Sequence, residues 1–110
     1  MKKGEIFLVN FDPAFGSEFK KIRLVVILQS EKITSNLITA IPLSSQISKK
    51  NTNEILIKKD SKNRLFRDSI LKVRQISSFD KKRFFHFVGE ISTKKINEIE
   101  NYLKIHFDLK

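Results

Sequence analysis

The sequence predicts a mainly β fold with a single C-terminal helix. Short apolar or alternating stretches recur from residue 4 to residue 91, polar turn residues separate them, and the period becomes helical after Ser92. "GEIFLVNF" (residues 4–11) alternates, with Ile6, Leu8 and Asn10 on one face and Phe7, Val9 and Phe11 on the other. "RLVVILQS" (23–30) is a nearly continuous apolar run, the pattern of a buried central strand. "LITAIPLS" (37–44) is rich in β-branched residues, and Pro42 near its end predicts an edge or a bulge. "NEILIKK" (53–59) alternates and leads into the polar turn "DSKNR". "DSILKVRQISSF" (68–79) and "FFHFVGEI" (84–91) complete a set of five or six strands. In "STKKINEIENYLKIHFDL", Ile96, Ile99, Leu103 and Phe107 recur at helical spacing behind Ser92 or Thr93 as N-cap. These elements predict a small, strongly bent sheet or partly open barrel with the helix over one face.

A chain of 110 residues fits one domain, residues 1–110, and its 40% apolar content fills one core. The run Leu24 to Leu28 falls far short of the ~20 apolar residues that span a bilayer. Glu5 and Asn10 interrupt the stretch after the basic start, so no signal peptide is expected and the protein is placed in the cytoplasm. Zero cysteines exclude a disulfide scaffold and a thiolate metal site. Twenty-two Lys and Arg against twelve Asp and Glu give a net charge of +10. Such a domain fits a polyanionic partner, nucleic acid first. A lysine-rich background, with Ile, Asn and Phe also abundant, accounts for the same charge without a partner.

The chemistry on offer is narrow. His86 and His106 stand alone, each beside phenylalanine, and read as core or surface residues. The acidic residues are scattered without the clustering that holds a metal, and Gly4, Gly16 and Gly89 form no phosphate-binding loop. Neither a metal nor a cofactor is expected. What stands out is "FDPAFGSEFKKIR", residues 11–23, between the first two strands. A hairpin needs as few as about two turn residues. This connection spends many more, and fills them with charged, hydroxyl and aromatic groups. It faces the hydroxyl pair Ser44-Ser45 at the end of a neighbouring strand.

At these residues the sequence resembles the MazF/PemK toxins of bacterial toxin–antitoxin modules. The resemblance rests on Gly4-Glu5-Ile6, Asn10-Phe11-Asp12-Pro13, Gly16-Ser17-Glu18 and Arg23, then on "IPLSSQI" and "RDSILKVRQISSFDKKRF". It covers nearly the whole chain. Leu24 stands where the family usually has Pro, Ser44 where Thr is common, and Arg74 and Ser77 where an acidic residue and Arg are often found.

The resemblance implies an SH3-like barrel and a homodimer. It also implies a metal-independent, sequence-selective endoribonuclease for single-stranded RNA, neutralised by an acidic antitoxin segment laid over the RNA groove. Arg23 and Ser44 become the catalytic candidates. A guanidinium forks onto two phosphate oxygens and holds its proton too tightly to be a good free base, so clamp and general acid are its roles. Ser44 would donate to a non-bridging oxygen. Phe15, Gly16, Ser17, Glu18, Phe19, Lys20 and Lys21 would form an RNA-binding wall. Its aromatic rings stack on bases, its lysines draw in the backbone and Glu18 accepts from a base edge. Ser45, Gln46 and Gln75 complete the RNA-binding set. Two other classes share these features: a non-cleaving nucleic-acid-binding module, and a toxin acting on a protein such as gyrase.

Overall fold

A computed structural model of the chain describes residues 1–11, 22–47 and 54–110. Among the described residues seven strands form one antiparallel, open sheet: β1 (Glu5–Asn10), β2 (Ile22–Ile27), β3 (Leu37–Ser44), β4 (Ile55–Ile57), β5 (Ser69–Leu71), β6 (Ser77–Asp80) and β7 (Phe84–Glu90). The order is β4-β5-β3-β2-β1-β7, and β6 lies beside β3. The helix α1 (Thr93–His106) follows, with the Ser92 hydroxyl accepting from Lys95 N–H at 3.2 Å as the predicted N-cap. Among the described residues no helix is long and apolar enough to cross a membrane.

Both faces of the β1–β2–β3 sheet are covered, which explains the unbroken apolar run of β2. Ile6, Val26, Ile41 and Leu43 point to one face, where they meet Ile55, Ile57, Leu71, Val73 and Ile99 of α1. Ile96, Tyr102 and Leu103 flank Ile99. The alternate residues Val9, Val25, Ile27, Ile38 and Ala40 point the other way, under Phe84 and the half-buried Phe7, Phe11 and Phe79. The helical face is as predicted except at its end. Phe107 is the C-cap, half exposed, and packs against His106 with Tyr102 beneath.

Two further expectations are corrected. Residues 68–79 form two strands instead of one. β5 pairs with the end of β3 (Leu43 opposite Leu71) and β6 with its beginning (Ala40 opposite Ser77). Residues 72–76 therefore lie opposite only Ile41 and Pro42, and the surplus coils into a 3-10 turn at Val73–Gln75. β3 is likewise an interior strand, so Pro42 is not at an edge. It pairs with Val25, and its carbonyl accepts from Lys72 N–H at 3.0 Å. The N–H and C=O of a strand residue point the same way, so the donor that Pro42 lacks would face the gap where the neighbour changes. The irregularity belongs to the adjacent strand.

β7 carries bulges of its own. Its register against β1 shifts between Ile6 and Phe7 and again between Leu8 and Val9. The second shift sets Phe84, not Phe85, opposite Val9, so that Phe7 touches Phe84 and Phe87 edge-on at 6.2 and 5.6 Å between centroids. At the far end Gly89 lies under the 60–64 turn, whose buried Asn63 bonds Lys58 C=O and the N–H groups of Asp60 and Leu65. A Cβ on Gly89 would lie 2.5 Å from the carbonyl oxygens of both Lys62 and Asn63. Gly89→Ala is therefore expected to lower the unfolding free energy by about 2 kcal/mol or more, read as a lower urea midpoint at unchanged m. An unshifted midpoint would mean that the turn moves aside without cost.

Candidate active site

The sheet face away from α1 carries a groove of about 380 Å3, lined by Phe11, Arg23, Pro42, Leu43, Ser44, Lys72, Gln75 and Phe79. Strand alternation explains its make-up. Arg23 shares the face of Val25 and Ile27 but lies beyond the apolar cover, next to the last β1–β2 pair, Asn10 with Ile22. Pro42 pairs with Val25. Carried two residues further, that register sets the Arg23 and Ser44 positions opposite each other. Phe11 and Phe79 meet edge-on at 4.8 Å and form an aromatic wall.

Ser44 is the last residue of β3 and is half-buried. Its hydroxyl oxygen accepts from Gln46 N–H at 3.2 Å, which leaves the hydroxyl proton to be donated elsewhere. Gln75 sits at the end of the 3-10 turn, its N–H bonded to Lys72 C=O at 2.8 Å and its amide exposed toward solvent. Lys72 Nζ lies 2.8 Å from Glu54 Oε2. Among the described residues the lining thus holds a guanidinium, an ammonium, a hydroxyl and an amide, and no carboxylate. That is a set of donors suited to an anion.

Of the predicted residues, the structure brings Arg23, Ser44 and Gln75 together. Ser45 and Gln46 are exposed just beyond the end of β3 and do not line the groove. Phe15, Gly16, Ser17, Glu18, Phe19, Lys20 and Lys21 lie outside the described residues. Arg74 lies inside the Val73–Gln75 turn and Ser77 begins β6, neither lining the groove, and Leu24 packs on the helix side of the sheet. Sequence reading missed Lys72, Phe11 and Phe79. The signal for Lys72 was available: a lysine inside the otherwise apolar "ILKV". His86 is exposed opposite Leu8 and His106 stacks on Tyr102, both away from the groove. Among the described residues no group of three or more His, Asp or Glu could hold a metal ion. A larger hollow of about 590 Å3, lined by Met1, Gln29, Glu31 and the 33–36 segment, contains none of the predicted residues.

The profile of the PemK-like, MazF-like toxins of type II toxin–antitoxin systems matches residues 2–107. The chain belongs to this family. Endoribonuclease MazF of Staphylococcus saprophyticus is 34% identical over 113 residues, covering 99% of this chain and 92% of that protein. Endoribonuclease MazF9 of Mycobacterium tuberculosis is 28% identical over 116 residues, with 99% and 98% covered. In fold the PemK/MazF-like chain is similar to the MazE–MazF crystal structure of Deinococcus radiodurans. The TM-score is 0.80 at 18% identity, covering 100% of this chain and 97% of that one. For this PemK/MazF toxin, the groove at Arg23, Ser44 and Gln75 is the candidate active site.

Proposed function

We propose that this toxin is a metal-independent, sequence-selective endoribonuclease that cuts single-stranded RNA through the substrate's own 2′-OH. The observation that carries the reading is the meeting of Arg23, Ser44 and Gln75 in one groove beside a pair of aromatic rings. The relatives named above are endoribonucleases, which supports it further.

The chemistry divides among these groups. The 2′-oxygen forms a bond to the adjacent phosphorus as its proton passes to solvent water, and the bond from phosphorus to the 5′-oxygen breaks. The 5′-oxygen takes up a proton, leaving 2′,3′-cyclic phosphate and 5′-hydroxyl ends. Charge accumulates on the non-bridging oxygens in between. The Arg23 guanidinium clamps two such oxygens and supplies the proton of the leaving group. Ser44, its oxygen already accepting from Gln46, donates to a phosphoryl oxygen. Gln75 offers an amide that can both donate to and accept from a base edge. Phe11 and Phe79 provide ring surface on which an unpaired base stacks. From the sequence pattern, Phe15, Gly16, Ser17, Glu18, Phe19, Lys20 and Lys21 would wall the strand in, and Ser45 and Gln46 would meet it at the rim.

The toxin would work in the cytoplasm as a homodimer, since two grooves meeting at one interface give a longer track for a polyanion. An acidic antitoxin segment would compete with RNA for that track. A related fold, the endoribonuclease from a Mycobacterial species solved with its cognate antitoxin, gives a precedent for such pairing (TM-score 0.77, 12% identity, 100% of this chain and 97% of that one covered).

Cleavage of a long RNA should proceed in EDTA and stop at a single 2′-deoxy substitution at the scissile nucleotide, with binding retained; end mapping and gel shift read both. Cutting that needs Mg²⁺ or survives the 2′-deoxy site would refute the mechanism. Binding without cutting would point to the non-cleaving module instead. Arg23→Ala should lower the cleavage rate by on the order of 10²–10³, and Arg23→Lys should not restore it, because a point charge cannot fork onto two oxygens. Ser44→Ala should cost less than Arg23→Ala, while Ser44→Thr keeps the donor, limits its rotamers and preserves or raises the rate. Light scattering at micromolar concentration should give the mass of a dimer.

A further inference from the structure

We propose that Lys72, held by Glu54, is a phosphate-binding group of the groove and grips the backbone of the bound strand beside Arg23 and Ser44. This rests on the reading that the groove takes RNA.

Lys72 is fixed along its whole length. Its N–H donates to Pro42 C=O at 3.0 Å and its C=O accepts from Gln75 N–H at 2.8 Å, so its backbone joins the Ser44 strand to the Gln75 turn. Its side chain is only 21% exposed, and the ammonium lies 2.8 Å from Glu54 Oε2, in a side chain 10% exposed. Such a pair is a poor device for stability alone. Withdrawing two charges from water costs about as much as their attraction returns, and apolar residues of similar volume commonly serve a core as well or better. The pair does achieve placement. A lysine normally surrenders much rotamer freedom when it grips a ligand, and here that freedom is already restricted in the free protein.

The ammonium also has donors to spare. It carries three N–H groups, more than one carboxylate oxygen accepts. It lines the groove, whereas Glu54 does not. A compact charge with rotating donors suits the oxygens of a phosphate, while the planar, two-signed edge of a base is better matched by the Gln75 amide. Glu54 keeps the ammonium oriented in the wall of the site, so that it meets a phosphate once the strand is seated.

The test uses a 2′-O-methylated oligonucleotide of the sequence that the wild-type protein cuts, which binds but offers no nucleophile. Affinity is measured over a salt series for the wild type, Glu54→Gln, Lys72→Arg and the double variant Lys72→Met/Glu54→Gln. The double variant removes both charges of the ion pair together, and a melting curve confirms that it folds. Each phosphate contact on a single strand contributes about 0.7 to the slope of log K against log salt concentration. The double variant should bind about tenfold more weakly at low salt with a slope shallower by about 0.7, while Lys72→Arg and Glu54→Gln keep the wild-type slope. A folded double variant with unchanged slope and affinity would show that Lys72 serves only the fold. An unchanged slope with a changed cleavage sequence would make it a base reader and overturn the proposal. A wild-type protein that neither cuts nor binds RNA would overturn the functional reading itself, and this inference with it.

Discussion

The arrangement of this protein depends on β3 having to pair with two different strands along one side. Its first half hydrogen-bonds β6 and its last residues β5, while β2 pairs with Ala40 to Pro42 on the other side. A single partner would have continued past Pro42, and the missing N–H there would have broken the ladder. With two partners, the change of neighbour falls where the proline can be tolerated. The surplus chain between them coils into the turn that presents Gln75 and Lys72 to the groove. The same register ends β3 at Ser44, across the sheet from Arg23. One topological requirement thus brings four groove residues together from three separate segments of the chain.

The electrostatic plan follows. A net charge of +10 leaves few carboxylates, and many of those described are committed to local structure. Glu100 pairs with Lys3, Glu98 with Lys95 and Glu54 with Lys72. Asp60 and Asp80 accept backbone N–H groups in their turns, and Asp68 accepts from Lys59 N–H. With acidic groups used in this way, the described part of the groove lining is left with donors. Most of the surface pairs lie in high dielectric and contribute little to stability. Their larger effect is on where negative charge is absent.

Much of the fold was legible because its signals are local. The period-2 alternation of residues 4–11, the continuous apolar run of β2, the strand at 37–44 and the Ser92 cap depend on neighbours in sequence, and each stands where the pattern put it. The division of residues 68–79 was not legible, because the 3-10 turn arises from the distant register of β3 and "SILKVRQISSF" itself reads as one strand. Phe107 kept helical spacing but fell at the C-cap, where it is half exposed. At the site, Arg23, Ser44 and Gln75 were found through motif resemblance. Phe11 and Phe79 were missed because only the folded sheet shows which residues at strand ends share a face, and Lys72 because its place in an apolar run was not followed up. The roles of Phe15 to Lys21 rest on the sequence pattern.

The bulges of β7 bear on how the chain behaves at high concentration. β7 ends the sheet path, so one of its sides has no strand partner among the described residues, and "FFHFV" is a segment of high β-propensity. A straight edge of that composition would be a template for adding strands from other molecules. Two register shifts within one strand increase its twist and interrupt the even spacing of donors and acceptors that a newcomer would have to match. The irregularity that turns Phe84 toward Phe7 therefore also protects the edge. Substitutions that straighten β7 would expose the protein to intermolecular sheet growth even where its thermal stability improved.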